Sequence, residues 1–135
     1  MILKTYSRAF TNDAEATAAA LTRLRGRDPH LRFRFGGWDL IGIGGTFIVD
    51  GTGEALAPIT NSHRPYIVND LAATQATVES DGATITQMAS DAPTGRMLCA
   101  RHADRLVVKY VDWTTELVET FIRSPQRDGR LSSEL

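Results

Sequence analysis

Apolar positions along this chain recur with two periods, and the switches between them set out its elements. From residue 2 to residue 10, Ile2, Leu3, Tyr6 and Phe10 mix with polar partners, which predicts a strand; Thr11-Asn12-Asp13 then predicts a turn. A helix follows. Asn12 is placed as its N-cap with Glu15 three residues on, Ala14 to Ala20 are strong helix formers, Leu21 and Leu24 continue the buried stripe, and Gly26 supplies the stop. After Asp28-Pro29, Leu31, Phe33 and Phe35 alternate with Arg32 and Arg34, a half-buried strand with one charged face. Gly36-Gly37 and Gly44-Gly45 punctuate two more strands, Trp38 to Ile43 and Thr46 to Val49, and Asp50-Gly51 closes the run.

The stretch from Thr52 to Ser62 has no sustained period and reads as a connection. The order then restarts: a strand over 63–68, a helix capped at Asn69-Asp70 and ended at Gly82, and strands over 83–88, 96–100 and 106–111. The two cap sites, Asn12 and Asn69, lie 69 − 12 = 57 positions apart. Two copies of strand, helix and three strands fit this pattern, and internal repetition decides a fold. The class expected is α+β, with βαβββ modules over about 1–53 and 60–122 building a curved mixed sheet of eight strands, one helix per module on its convex side. A short helix from Trp113 to Ile122 belongs to the second module, and the polar segment 123–135 is expected to be a mobile tail.

At 135 residues, 42% of them hydrophobic, the chain is long enough for a core without staples. Fifteen Lys and Arg against sixteen Asp and Glu leave a net charge of −1 and no basic footprint for nucleic acid or an anionic membrane. The single cysteine, Cys99, has no partner for an intramolecular disulfide, and no apolar run has the length of a signal or membrane segment. A cytoplasmic location is therefore expected. Gly-x-Ser-x-Gly, phosphate-loop, His-Glu-x-x-His and paired-cysteine signatures are absent. Gly42-Ile43-Gly44-Gly45 is a poor dinucleotide loop, because Phe47 stands where a third glycine is needed and a strand follows.

Three short stretches carry a family resemblance. His63-Arg64-Pro65-Tyr66-Ile67-Val68-Asn69-Asp70-Leu71 is similar to a strand ending in Asp-Leu at a helix start, and Asp81-Gly82-Ala83-Thr84-Ile85 to the helix exit. Pro93-Thr94-Gly95-Arg96 with Ala100-Arg101-His102-Ala103-Asp104 resembles the loop and turn before the last strand. In this order and spacing they resemble the second module of the vicinal oxygen chelate superfamily, the glyoxalase, bleomycin-resistance and extradiol-dioxygenase group. The resemblance implies glyoxalase-like half-barrels enclosing a cavity in which a divalent metal, held by His and Glu residues of both modules, typically meets two oxygens of the substrate. It places His63 at a histidine ligand position, but Lys109 where a glutamate belongs and Thr5 where the other histidine belongs. An ammonium there repels a cation, so no metal and no cofactor are expected. A rearranged set using Asp39, Asp50 or Glu54 is the competing possibility.

Lys109 sits in phase with Val107 and Val111, so alternation favours a cavity wall over solvent. Phe35, Trp38 and Phe47 are ordinary sheet core unless they lie on a concave face, Trp113 closes a cavity mouth or anchors the last helix, and Arg96 either meets an anion or is solvated. The candidate ligand-binding set is Phe35, Trp38, Phe47, His63, Arg96, Lys109 and Trp113, with catalytic residues open. The function expected is a glyoxalase or bleomycin-resistance-like small-molecule protein with a degenerate metal site, taking an apolar or aromatic acidic compound. The alternative is a metal-dependent lyase, isomerase or dioxygenase of the same type with displaced ligands. The resemblance also implies a homodimer, since half-barrels leave edges and apolar surface to cover.

Overall fold

A computed structural model describes residues 2–57, 59, 65–103 and 105–132. The strands are β1 (Ile2–Thr5), β2 (Ser7–Thr11), β3 (Leu31–Phe35), β4 (Trp38–Ile43), β5 (Thr46–Asp50), β6 (Pro65–Val68), β7 (Thr84–Ala92), β8 (Gly95–Arg101) and β9 (Val107–Trp113). Helices α1 (Ala14–Arg25), α2 (Gly53–Leu56) and α3 (Leu71–Ser80) separate them. One sheet runs β2-β5-β4-β3 and the other β1-β6-β9-β8-β7. Within each half the first strand is parallel to the last, β2 to β5 and β6 to β9, and the other neighbours are antiparallel. This is the expected α+β class of βαβββ design.

The expected eight-stranded sheet becomes nine strands in two sheets among the described residues, because the first strand changes partner at Tyr6. Before it, β1 pairs antiparallel with β6; after it, β2 runs parallel to β5. Tyr6 N–H donates to Pro65 O at 3.2 Å and Ser7 N–H to Gly45 O at 2.8 Å, so the switch occupies one peptide. One strand thereby links the two sheets.

Local chemistry explains the helices. Asp13, one residue beyond the expected Asn12, caps α1 by accepting from Ala16 N–H at 3.0 Å, and Asp70 caps α3 by accepting from Ala73 N–H at 2.9 Å. The two caps keep the repeat's offset of 57 positions. Gly26 ends α1 in the left-handed region at φ 63°, as a C-terminal glycine should. Glu15 does not complete a capping box; it pairs with Arg32 on β3.

Each sheet is covered on both faces, following the two-residue alternation of strands. Ile41, Ile43 and Ile48 pack under Ala14 and Ala18 of α1, while Leu98, Ala100, Val108 and Tyr110 pack under Leu71 and Val78 of α3. The opposite faces share a third cluster containing Tyr6, Leu31, Leu40, Phe47, Val49, Ile67, Val111, Trp113 and Ile122. Position 95 at the β8 start requires glycine: its φ is +148°, and a Cβ there would fall 2.0 Å from Asp112 O.

The C-terminal segment differs from expectation. Trp113 is strand, and helix runs as α4 (Thr115–Val118), a π-helical stretch Glu119–Arg123 and α5 (Ser124–Arg127). Leu117, Val118 and Phe121 pack on the third cluster, and Phe121 stacks on Phe33 with ring centroids 5.3 Å apart. Past 123, where a polar tail was expected, Pro125 and Leu131 are buried and Leu131 N–H donates to Pro125 O at 3.1 Å. Among the described residues no helix is long and apolar enough to cross a membrane.

Candidate functional site

Between the facing sides of the two sheets lies a cavity of 260 Å³. The four-stranded sheet contributes Arg8, Phe33, Phe35, Trp38, Leu40, Phe47 and Val49. The other contributes Pro65, Ile67, Met97, Lys109, Val111 and Trp113, with Gln87 and the 90–94 segment completing the wall. Register explains the convergence. Arg8 pairs with Phe47 across β2 and β5, and Pro65 pairs with Lys109 across β6 and β9, so equivalent rungs of the two halves face one another's sheet. Trp38 is fixed by its indole N–H, which donates to Ala55 O of α2 at 2.8 Å.

The described wall given by β2 to β6, β8 and β9 is hydrocarbon apart from two cations, Arg8 and Lys109, and Gln87, Ser90, Asp91 and Thr94 add polar groups along one side. Burial lowers the Lys109 pKa to about 8, with the charge of Arg8 adding to the effect and Cys99, its cross-strand neighbour, opposing it. Burial also lowers the Arg8 pKa, although Arg8 stays a cation, and its Nη1 donates to Ile59 O at 3.0 Å. Burial raises the Cys99 pKa, which keeps the thiol protonated at neutral pH, and its sulfur lies 3.8 Å from Gln87 Oε1. Among the described residues no carboxylate forms an ion pair with Lys109. An ammonium in such a place is energetically costly until an anion joins it.

Five of the seven candidate residues, Phe35, Trp38, Phe47, Lys109 and Trp113, line this one cavity. Arg96 does not. It shares a strand face with Leu98 and Ala100, which pack towards α3, whereas Met97 points the other way into the cavity. Its guanidinium lies 3.6 Å from Asp91, with more than half of the side chain exposed. His63 lies outside the described residues, and Thr5 lines a separate groove. The sequence reading missed Arg8. The signal was present: Arg8 is in phase with Tyr6 and Phe10, an arginine on the apolar side of a strand.

The donors present do not suit a divalent cation, which needs several deprotonated nitrogen or oxygen ligands. Arg8, Phe47 and Lys109 occupy the facing rungs, and the cavity's carboxylate, Asp91, has a side chain 99% exposed and paired with Arg96. Asp39 and Asp50 pair across β4 and β5, but Asp39 accepts from Arg34 Nε at 2.9 Å and Asp50 from Ala14 N–H at 3.0 Å, on the α1 side. Among the described residues no three His, Cys, Asp or Glu side chains are grouped to hold a metal.

Comparisons with known proteins agree on the fold. No protein-family model matches the sequence, and no curated protein matches it. Among solved structures, an uncharacterized protein from Methanosarcina mazei is 29% identical, with a TM-score of 0.72 over 84% of this chain and 94% of that one. Methylmalonyl-CoA epimerase from Mycobacterium tuberculosis superposes with a TM-score of 0.60 at 13% identity, over 87% of this chain and 93% of its own. The Streptomyces coelicolor epimerase, in complex with 2-nitronate-propionyl-CoA, gives 0.58 at 14% identity, over 85% and 97%. At 13–14% identity the epimerases share the fold, and a shared fold does not carry an activity with it.

Proposed function

We propose that this chain is a vicinal oxygen chelate-type, glyoxalase-like protein that binds a small aromatic or apolar acid in the cavity between its sheets, without using the divalent metal typical of that group. Lys109 carries the reading: it is a cation enclosed by Phe35, Trp38, Phe47 and Trp113, with its pKa pulled to about 8 and no ion-pair partner among the described residues. The anion of the ligand supplies that partner, and Arg8 on the opposite sheet adds a second positive group. Apolar walls with a few convergent polar groups are the usual make-up of a small-molecule site. At 260 Å³ the space is below the roughly 300–1,000 Å³ range of drug-sized ligands, which favours a compound of about one ring.

The same reading takes the chain to be a homodimer. In its support, β7 is an edge strand and carries Met88, 65% exposed. The binding test is a thermal-shift screen of single-ring aromatic carboxylates against the wild type and Lys109→Met. Carboxylates that raise the wild-type melting temperature and leave Lys109→Met unmoved support the proposal. Equal shifts in both proteins, or none in the wild type, overturn it.

A further inference from the structure

A second, unrelated concavity opens where the first strand changes sheets. It is a groove of 610 Å³ between Lys4, Thr5, Tyr6 and Ser7, the Gly44-Gly45 hairpin turn, and the end of α1 with Arg25 and Arg27. Leu131 and Ser132 form a further wall. Among the described residues that line it, charge is of one sign. Lys4 is only 5% exposed and lines the groove, its ammonium 5.2 Å from the centre of the Tyr6 ring. Arg25 lies over the glycine turn, its Nη1 3.1 Å from where a Cβ on Gly44 would stand, and its Nη2 donates to Thr46 Oγ1 at 2.8 Å. A hydroxyl partner leaves the guanidinium charge uncompensated.

Among the described residues no carboxylate forms an ion pair with Lys4, Arg25 or Arg27, although five other ion pairs are made elsewhere on the surface. The neighbourhood feels the surplus. His30, buried beneath and bonded to Tyr6 Oη at 2.9 Å, has its pKa lowered to about 4 by burial and then by Lys4, Arg130 and Arg27. Burial, Arg25 and Arg27 likewise lower that of Lys4. A chain of net charge −1 that gathers three cations around one concavity, one of them nearly enclosed, has a site shaped for an anion.

We infer that the Lys4, Arg25, Arg27 and Gly44-Gly45 groove is an anion-binding site for a phosphate group of a phosphorylated small molecule. Two guanidiniums and an ammonium match the several acceptor oxygens and double charge of phosphate better than a single carboxylate. Arg25 covers the turn at Gly44, but nothing lies within 4 Å of where a Cβ on Gly45 would stand, so a tetrahedral group can approach the backbone there. The glycines serve here as a hairpin turn between β4 and β5, not as a dinucleotide fingerprint.

Inorganic pyrophosphate is the probe, titrated calorimetrically into the full chain at constant ionic strength, with chloride as the competing control. The wild type should bind it saturably at one site. Arg27→Ala and Arg25→Ala, both at exposed positions, should each weaken binding by about tenfold, as expected for loss of a charge-assisted contact. Lys4→Met should weaken it at least as much. Lys109→Met, in the other cavity, should leave it unchanged, which keeps this inference separate from the aromatic-acid site. No saturable binding, affinity unmoved in Arg25→Ala and Arg27→Ala, or binding lost in Lys109→Met instead, each overturns it.

Discussion

Replacing Lys109 by methionine should make the ligand-free protein more stable, because methionine fills similar space without the charge. The pKa falls from 10.5 to about 8 on folding, mainly through burial with a contribution from Arg8. At about 1.4 kcal/mol per pH unit, that depression costs the folded state about 3 kcal/mol below pH 8, an upper bound for what the variant recovers. The sign follows from protons bound. Between pH 8 and 10.5 the unfolded lysine is protonated and the folded one is not, so wild-type stability rises with pH through this window and the cost disappears above it. Urea unfolding of both proteins from pH 6 to pH 10.5 measures it. Lys109→Met should be more stable by up to about 3 kcal/mol at pH 6 to 7, with a gap that closes towards pH 10.5. A variant less stable than wild type at pH 7, or a gap independent of pH, would refute the reasoning.

Other consequences are as direct. Gly95→Ala should destabilise the fold by more than about 3 kcal/mol, visible as a lower urea midpoint, because φ +148° and a Cβ 2.0 Å from Asp112 O leave no room for a side chain. Affinity for an aromatic carboxylate should hold from pH 6 to 7 and weaken as pH rises past about 8, where free Lys109 loses its proton; isothermal titration over that range checks the direction. Light scattering at micromolar concentration should give twice the monomer mass, and a monomer at all concentrations would remove the homodimer.

What was legible in the chain was local or periodic. Asp70 and Gly26 act through their own helix ends, and the phase of Lys109 with Val111 needs only the two-residue period of a strand. What escaped depends on partners distant in sequence. The break at Tyr6 exists because β1 and β2 find different sheets, and nothing within residues 2–11 announces it. Arg96 adjoins a loop in sequence, which makes an anion contact conceivable, but its phase with Leu98 and Ala100 puts it on the α3 side. Leu131 sits in a polar stretch yet is 3% exposed, beside the β1–β2 junction and the end of α1, segments more than a hundred positions away in sequence. Arg8 was passed over because a lone arginine in a short strand reads as solvated unless its phase is followed.

The central claim is that the cavity between the sheets selects a small ring bearing a negative charge. Both tryptophans of the chain, Trp38 and Trp113, line that cavity, so their fluorescence reports occupancy without a label. Benzoate, benzamide and benzylammonium share a ring and differ in the charge of their polar group. Titrated at pH 7 into the wild type, benzoate should change the fluorescence saturably, benzamide weakly and benzylammonium not at all. Benzamide or benzylammonium binding as tightly as benzoate would contradict the account.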